Sequence, residues 1–121
     1  MNPVVMVVDD SVATRKFIML ALRAQGCRVI VARDGMEALE KLAYEKVDLV
    51  ITDLNMPNLD GFELVKTLRD HQSYRELPVI ILSSLSSDAE IEKGKQLGAN
   101  AYLVKPFDRK RIQYEVAKFL N

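Results

Sequence analysis

The chain has 121 residues, with 17 Lys plus Arg set against 17 Asp plus Glu, so its formal charge is zero. That length holds one ordinary domain with a real core. A neutral chain is a poor candidate for broad nucleic-acid or membrane-surface binding, since both need a positive field, although a local patch stays open. The single cysteine, Cys27, excludes an internal disulfide and a cysteine-built metal centre; it reads as a small buried residue entering a strand. No apolar run approaches the roughly 20 residues needed to span a bilayer. Met1-Asn2-Pro3 leads straight into a strand with no basic segment or cleavage site, so the expected location is the cytoplasm.

Strand and helix signals alternate along the chain. Val4 to Val8 is a continuous apolar run, the mark of a strand buried on both faces. Asp10-Ser11 offers a helix cap, and Ala13, Phe17, Leu20, Ala21 and Ala24 follow at helical spacing until Gly26. Arg28 to Ala32 forms a second strand, Asp34-Gly35 a turn, and Ala38, Leu39 and Leu42 mark a second helix. The third strand runs from Val47 to Thr52 and ends at Asp53. Asn55 to Gly61 is rich in Asn, Pro, Asp and Gly and reads as a loop. Leu64, Val65 and Leu68 make a third helix, and Pro78 opens a fourth strand, Val79 to Leu82. Ser87 with Glu90 fits a capping box for a fourth helix that Gly98 ends. Ala101 to Val104 is the fifth strand, and Asp108 caps a last helix with Ile112, Val116, Phe119 and Leu120 on one face.

Five such units predict an α/β domain over 1–121, with a five-stranded parallel sheet and helices on both faces. No linker or repeat interrupts it, and the chain is spent once the fifth helix closes, so no attached effector domain is expected. The fourth helix is the weak one. Its apolar set is thin (Ala89, Ile91, Leu97), and Gly94 inside it costs roughly 1 kcal/mol relative to alanine. It reads as an exposed helix or as a mobile element.

In an open parallel sheet the strand C-terminal ends share one edge, and sites form in the crevice there. Those ends carry Asp9 and Asp10, Asp53, Ser83 and Ser84, and Lys105 before Pro106. Three close carboxylates raise one another's pKa unless a cation intervenes. Mg²⁺ suits them, because it takes oxygen ligands and binds through one or two carboxylates plus phosphate oxygens. Asp53 then becomes a nucleophile toward a phosphoryl group, with Lys105 stabilising the charge on its oxygens. Ser83 can hydrogen-bond a phosphoryl oxygen. His71, the only histidine, lies in a polar stretch and has no neighbours for a metal site.

Four segments together resemble the bacterial response-regulator receiver domains, especially the single-domain chemotaxis type. They are Val7-Val8-Asp9-Asp10-Ser11, Thr52-Asp53-Leu54-Asn55-Met56-Pro57-Asn58-Leu59-Asp60-Gly61, Pro78-Val79-Ile80-Ile81-Leu82-Ser83 and Gly98-Ala99-Asn100-Ala101-Tyr102-Leu103-Val104-Lys105-Pro106-Phe107. The match spans essentially the whole chain in order. It implies a flavodoxin-like three-layer sandwich with strand order 2-1-3-4-5. It further implies that Asp53 accepts a phosphoryl group from a histidine kinase, with Mg²⁺ held by Asp9, Asp10, Asp53 and the backbone carbonyl of Asn55. Lys105 is implied to pair with the phosphoryl group, and its bond to Pro106 to be cis. Ser83 is implied as the switch hydroxyl and Tyr102 as the aromatic that turns with it, remodelling the face of helix four, strand five and helix five for a downstream protein. A phosphatase is a further possible partner; direct nucleic-acid or membrane contact is not expected, and a monomer is.

Two departures stand out. Serine at 83 replaces the threonine of many relatives, keeping the hydroxyl and losing a methyl. Leu85 stands where the family often places a polar residue that affects water attack on the acyl phosphate, so slow self-dephosphorylation is expected. Ser83-Ser84-Leu85-Ser86 also resembles receivers on chemotaxis coupling proteins and hybrid kinases; the start at Met1 favours a stand-alone shuttle. The chemistry is self-catalysed, and the reading is a switch, not a metabolic enzyme. The rivals are weaker. A Mg²⁺-dependent phosphohydrolase calls for D-x-D after strand one, and a flavodoxin-like cofactor binder calls for a phosphate-cradling loop that Asp9-Asp10 would repel. A docking module that is never phosphorylated remains a third alternative.

Overall fold

Alternate residues of each strand point to opposite faces, and here both faces are apolar. In the computed structural model, which describes residues 2–120, the strands are β1 (Val4–Val8), β2 (Arg28–Ala32), β3 (Leu49–Asp53), β4 (Val79–Ser83) and β5 (Ala101–Val104). The helices are α1 (Val12–Ala24), α2 (Gly35–Leu42), α3 (Gly61–Asp70), α4 (Asp88–Leu97) and α5 (Arg109–Ala117). The sheet is parallel with the order β2-β1-β3-β4-β5, as the sequence led us to expect.

One core lies between the sheet and α1 with α5. It joins Val5, Val7, Leu49, Ile51, Ile80 and Leu82 to Ile18, Leu22, Ile112 and Val116. The other lies under α2, α3 and α4, where Met6, Val8, Val50 and Ile81 meet Ala38, Leu42, Leu64, Val65 and Leu68. Each such fully buried aliphatic side chain contributes roughly 1.5–3 kcal/mol of transfer free energy. Cys27 is buried just ahead of β2.

Several local expectations change. The buried stripe of α1 is Ile18, Ala21 and Leu22, whereas Phe17 and Leu20 face outward. Ile18, Ala21 and Leu22 recur at i, i+3 and i+4, which is equally good helical spacing, and the sheet selects that stripe. β3 begins at Leu49, since Val4 donates its N–H to the Asp48 carboxylate and Asp48 returns its own to the Val4 carbonyl. Ser87 caps α4 by accepting from the Glu90 N–H, but the full capping box is at α3, where Asp60 and Glu63 exchange both hydrogen bonds.

α4 buries only Gly94. The glycine is where the helix seats on the sheet: a Cβ there would lie 3.2 Å from Ile81 Cδ1 and from Tyr102 Cδ2. The neutral total charge also conceals an uneven distribution. α1 carries Arg15, Lys16 and Arg23 with no acid, and α5 opens with Arg109, Lys110 and Arg111, whereas α4 opens with Asp88, Glu90 and Glu92 ahead of Lys93 and Lys95.

Candidate functional site

Each strand stops at the same sheet edge, and the register decides which side chains meet there. Val8 pairs with Thr52, so Asp9 and Asp53 follow at the same level on adjacent strands; Asp53 in turn pairs with Leu82, and Ser83 with Val104. Carboxylate oxygens of Asp9, Asp10 and Asp53 all lie within 4.8 Å of one another. Asp9 and Asp53 are buried and Asp10 is exposed, so the cluster opens to solvent on one side. Lys105 reaches in from beyond β5 and places Nζ 3.0 Å from Asp53 Oδ1. The Lys105–Pro106 bond is cis.

Asp9 Oδ1 accepts the Ser11 N–H at 2.8 Å, but the buried Oδ2 has no hydrogen-bond partner among the described residues. Burial is the main cause that pushes the Asp9 carboxyl above the usual aspartate range. The Ser11 N–H opposes it, Asp53 and Asp10 add to it, and Lys105 lowers it. Three carboxylates thus face one ammonium, with one buried oxygen unsatisfied. That oxygen set fits a hard divalent cation such as Mg²⁺. Asn55, two residues past Asp53, is exposed on the adjoining loop.

Ser83 is buried at the end of β4, and its Oγ accepts the Leu85 N–H at 3.0 Å. Tyr102 is half-buried, and its hydroxyl donates to the Leu85 carbonyl at 2.9 Å. Both therefore hold the β4–α4 loop from different sides. Leu85 is exposed and points no polar group toward the acids. His71 is exposed, stacks on Tyr74 with centroids 4.6 Å apart and accepts the Ser73 N–H at Nδ1, well away from the acidic edge in sequence and element.

Sequence reasoning missed three supports. Arg15, one turn into α1, folds back and donates to the Asp9 carbonyl at 2.6 Å. Thr52, fully buried, donates its hydroxyl to the Asp53 carbonyl at 2.9 Å. Gly61 lets α3 start against the end of β3, since a Cβ there would meet the Asp53 carbonyl oxygen at 2.5 Å. Only the glycine had a signal, the loop-ending Asp60-Gly61 pair. An apolar recess of about 440 Å³, lined by Ala13, Phe17, Pro106 and Phe107, opens beside Lys105.

A model of the response regulator receiver domain matches residues 5–117. The chain belongs to that family. This receiver domain is 36% identical over 108 residues to protein PilG of Pseudomonas aeruginosa, covering 89% of the chain and 80% of PilG. It is 44% identical to the gliding motility regulatory protein of Myxococcus xanthus over 84% of its own length, but spans only 13% of that protein. Among solved structures, the chemotaxis response regulator CheY4 of Vibrio cholerae superposes with a TM-score of 0.93 at 35% identity, covering 99% of this chain and all of that one. The domain is therefore a receiver of two-component response regulators, with relatives in chemotaxis. Receiver domains bind Mg²⁺ in an acidic pocket, and this chain has an acidic cluster of Asp9, Asp10 and Asp53. Among the described residues no helix is long and apolar enough to cross a membrane.

Proposed function

We propose that residues 1–121 act as one phosphoryl-accepting switch, with Asp53 as the acceptor. The observation that carries this reading is the Asp53 carboxylate, tied to Lys105 at 3.0 Å and crowded by Asp9, whose buried second oxygen has no partner. Asp9, Asp10 and Asp53, with the carbonyl of Asn55, would hold Mg²⁺. When bound, that ion supplies positive charge to the phosphoryl oxygens and relieves the repulsion among the acids.

Asp53 attacks the phosphorus of a kinase phosphohistidine through a carboxylate oxygen. A P–O bond forms, the P–N bond breaks, and the imidazole leaves with the electron pair and takes up a proton. Lys105 then follows the charge, leaving the carboxylate oxygen for a phosphoryl oxygen. Ser83 gives up the Leu85 N–H to donate to the phosphoryl group, which frees the β4–α4 loop. Tyr102, hydrogen-bonded to the same loop, turns as it moves. The changed face of α4, β5 and α5 controls a downstream protein. The apolar recess beside Lys105 would seat the phosphodonor or a phosphatase.

The test is incubation with Mg²⁺ and acetyl phosphate, read by intact mass, for the native chain and Asp53→Asn. A single phosphoryl adduct that needs Mg²⁺ and disappears in the variant is the expected result. If the native chain forms no adduct even with candidate kinases, the docking-module reading takes its place.

A further inference from the structure

Arg69, on α3, takes no part in the proposed phosphoryl chemistry, yet among the described residues it makes the densest side-chain hydrogen-bond set outside the site. Its guanidinium donates from all three nitrogens: Nε to the Gly98 carbonyl at 3.0 Å, Nη1 to the Tyr74 carbonyl at 3.1 Å and Nη2 to Asn100 Oδ1 at 2.9 Å. Asn100 is locked in turn. Its Oδ1 also accepts the Val79 N–H at 2.9 Å, and its own N–H donates to the Val79 carbonyl at 2.8 Å. One planar cation thus joins α3, the turn before β4 and the segment that ends α4. None of its three acceptors is a carboxylate. The packing is also close. Gly98 sits at φ +110°, and a Cβ there would lie 2.9 Å from Arg69 Cγ.

The two ends of α4 are held very differently. The middle buries only Gly94. The N-terminal end follows a loop tied down by the exposed Tyr102 hydroxyl on the Leu85 carbonyl and by Ser83 Oγ on the Leu85 N–H. Both of those bonds involve the residues that respond to the acceptor site. The C-terminal end is tied to α3 by a cation that no part of the phosphoryl chemistry disturbs.

We infer that Arg69 clamps the C-terminal end of α4 as a fixed pivot, so that switching swings the N-terminal end, residues 85–91, while residues 97–100 stay in place. This rests on the reading of the chain as a switch. A ten-residue helix is about 15 Å long, so a tilt of roughly 10° about the clamp moves the far end by roughly 2.5 Å and the near end hardly at all. The partner-facing change is then concentrated on the first turn of α4, next to Tyr102.

The clamp and the pivot are read separately on the full chain. Residue-resolved amide exchange, without metal or phosphoryl analogue, compares the native chain with Arg69→Met, Arg69→Lys and Tyr102→Phe. In Arg69→Met the exchange of Gly98, Ala99 and Asn100 should rise about tenfold beyond any rise in β1 and β3, with Leu85 following the core. Tyr102→Phe should do the reverse. Arg69→Lys keeps the charge but has no three-way fork, so it should behave like the Met variant in weaker form; it also carries the test if Arg69→Met does not fold. An equal rise everywhere, or none at 98–100, overturns the clamp. Beryllofluoride with Mg²⁺ then reads the pivot: amide shifts should change over 85–91 and stay nearly constant over 97–100 in the native chain, and should spread across both in Arg69→Met. Even changes along α4 in the native chain overturn the pivot. No change in any residue overturns the switch reading and the pivot with it, whereas the exchange comparison still judges the clamp.

Discussion

Replacing Asp9 by Asn should stabilise the metal-free protein. The Asp9 side chain is buried, Oδ1 accepts the Ser11 N–H, and Oδ2 has no partner while Asp10 and Asp53 oxygens lie within 4.8 Å. An amide keeps the acceptor for Ser11 and turns Nδ2 toward those carboxylates as a donor. A hydrogen bond to a charged group is worth about 1.5–3 kcal/mol, and the opening at Asp10 argues for the lower figure. For a domain of this size, about 1.5 kcal/mol raises Tm by roughly 5 °C. Burial raises the Asp9 carboxyl, so the fold favours its protonated form. The stability it contributes is full below the ordinary aspartate range and is lost as pH rises through the raised folded value. The amide does not titrate. The advantage of Asp9→Asn should therefore open as pH rises above the ordinary aspartate range and close at acid pH. Mg²⁺ should reverse the order: at a hundredfold excess over its Kd the native chain gains about 2.7 kcal/mol, and the variant much less. Calorimetry in EDTA and in Mg²⁺ across that pH range measures both arms. A variant less stable than the native chain in EDTA at neutral pH would refute the reasoning.

Three further outcomes are expected. Leu85→Glu should speed loss of the phosphoryl group by roughly tenfold, since a carboxylate beside the site can orient water and Leu85 cannot; equal decay rates for the two proteins would defeat this. Gly61→Ala should lower stability by about 1–3 kcal/mol in urea unfolding, because the new Cβ meets backbone at 2.5 Å, and no loss would show that α3 is free to shift. Gly94→Ala gains roughly 1 kcal/mol in helix propensity but presses on Ile81 and Tyr102 at 3.2 Å, so its net effect should stay under about 0.5 kcal/mol while the Tyr102 ring resonances shift. A full gain with unmoved resonances would mean that α4 does not seat there.

The chain order of elements was legible because the strands are continuous apolar runs, and the helices open at capping aspartates or end at Gly26 and Gly98, all local signals. The meeting of Asp9, Asp53, Ser83 and Lys105 at one edge follows from parallel topology, and the strand order came from the family resemblance. What could not be read was which of two helical stripes the sheet would bury. In α1, Phe17 and Leu20 compete with Ile18 and Leu22 at the same period, and only tertiary contact chooses. The three-way hydrogen bonding of Arg69 was equally invisible, because its acceptors are the nearby Tyr74 carbonyl and, 29 and 31 residues away, the Gly98 carbonyl and the Asn100 amide. Gly94 was read as a local weakness. It is a cost to the isolated helix and a condition for close approach to Tyr102, and the sequence displays only the first.

The strand order also accounts for the choice of side chain at each position. β3 lies between β1 and β4, so Asp53 has the acids on one flank and Ser83 on the other, each about one strand spacing of 4.8 Å away. Short side chains suffice over that distance, and aspartate and serine are what stand there. Lys105 extends from β5, two spacings off, roughly 9.6 Å. Only a long side chain covers that gap, and the four-carbon stem of lysine brings Nζ to 3.0 Å from Asp53. Arginine has comparable reach, but its planar fork is suited to fixed bidentate pairing, whereas a lysine ammonium is a compact charge on a flexible stem. On the mechanism proposed above, a cation that pairs with a carboxylate before phosphorylation and with a phosphoryl oxygen after it changes partner across a short distance. The flexible point charge does that with a small rotation of its stem.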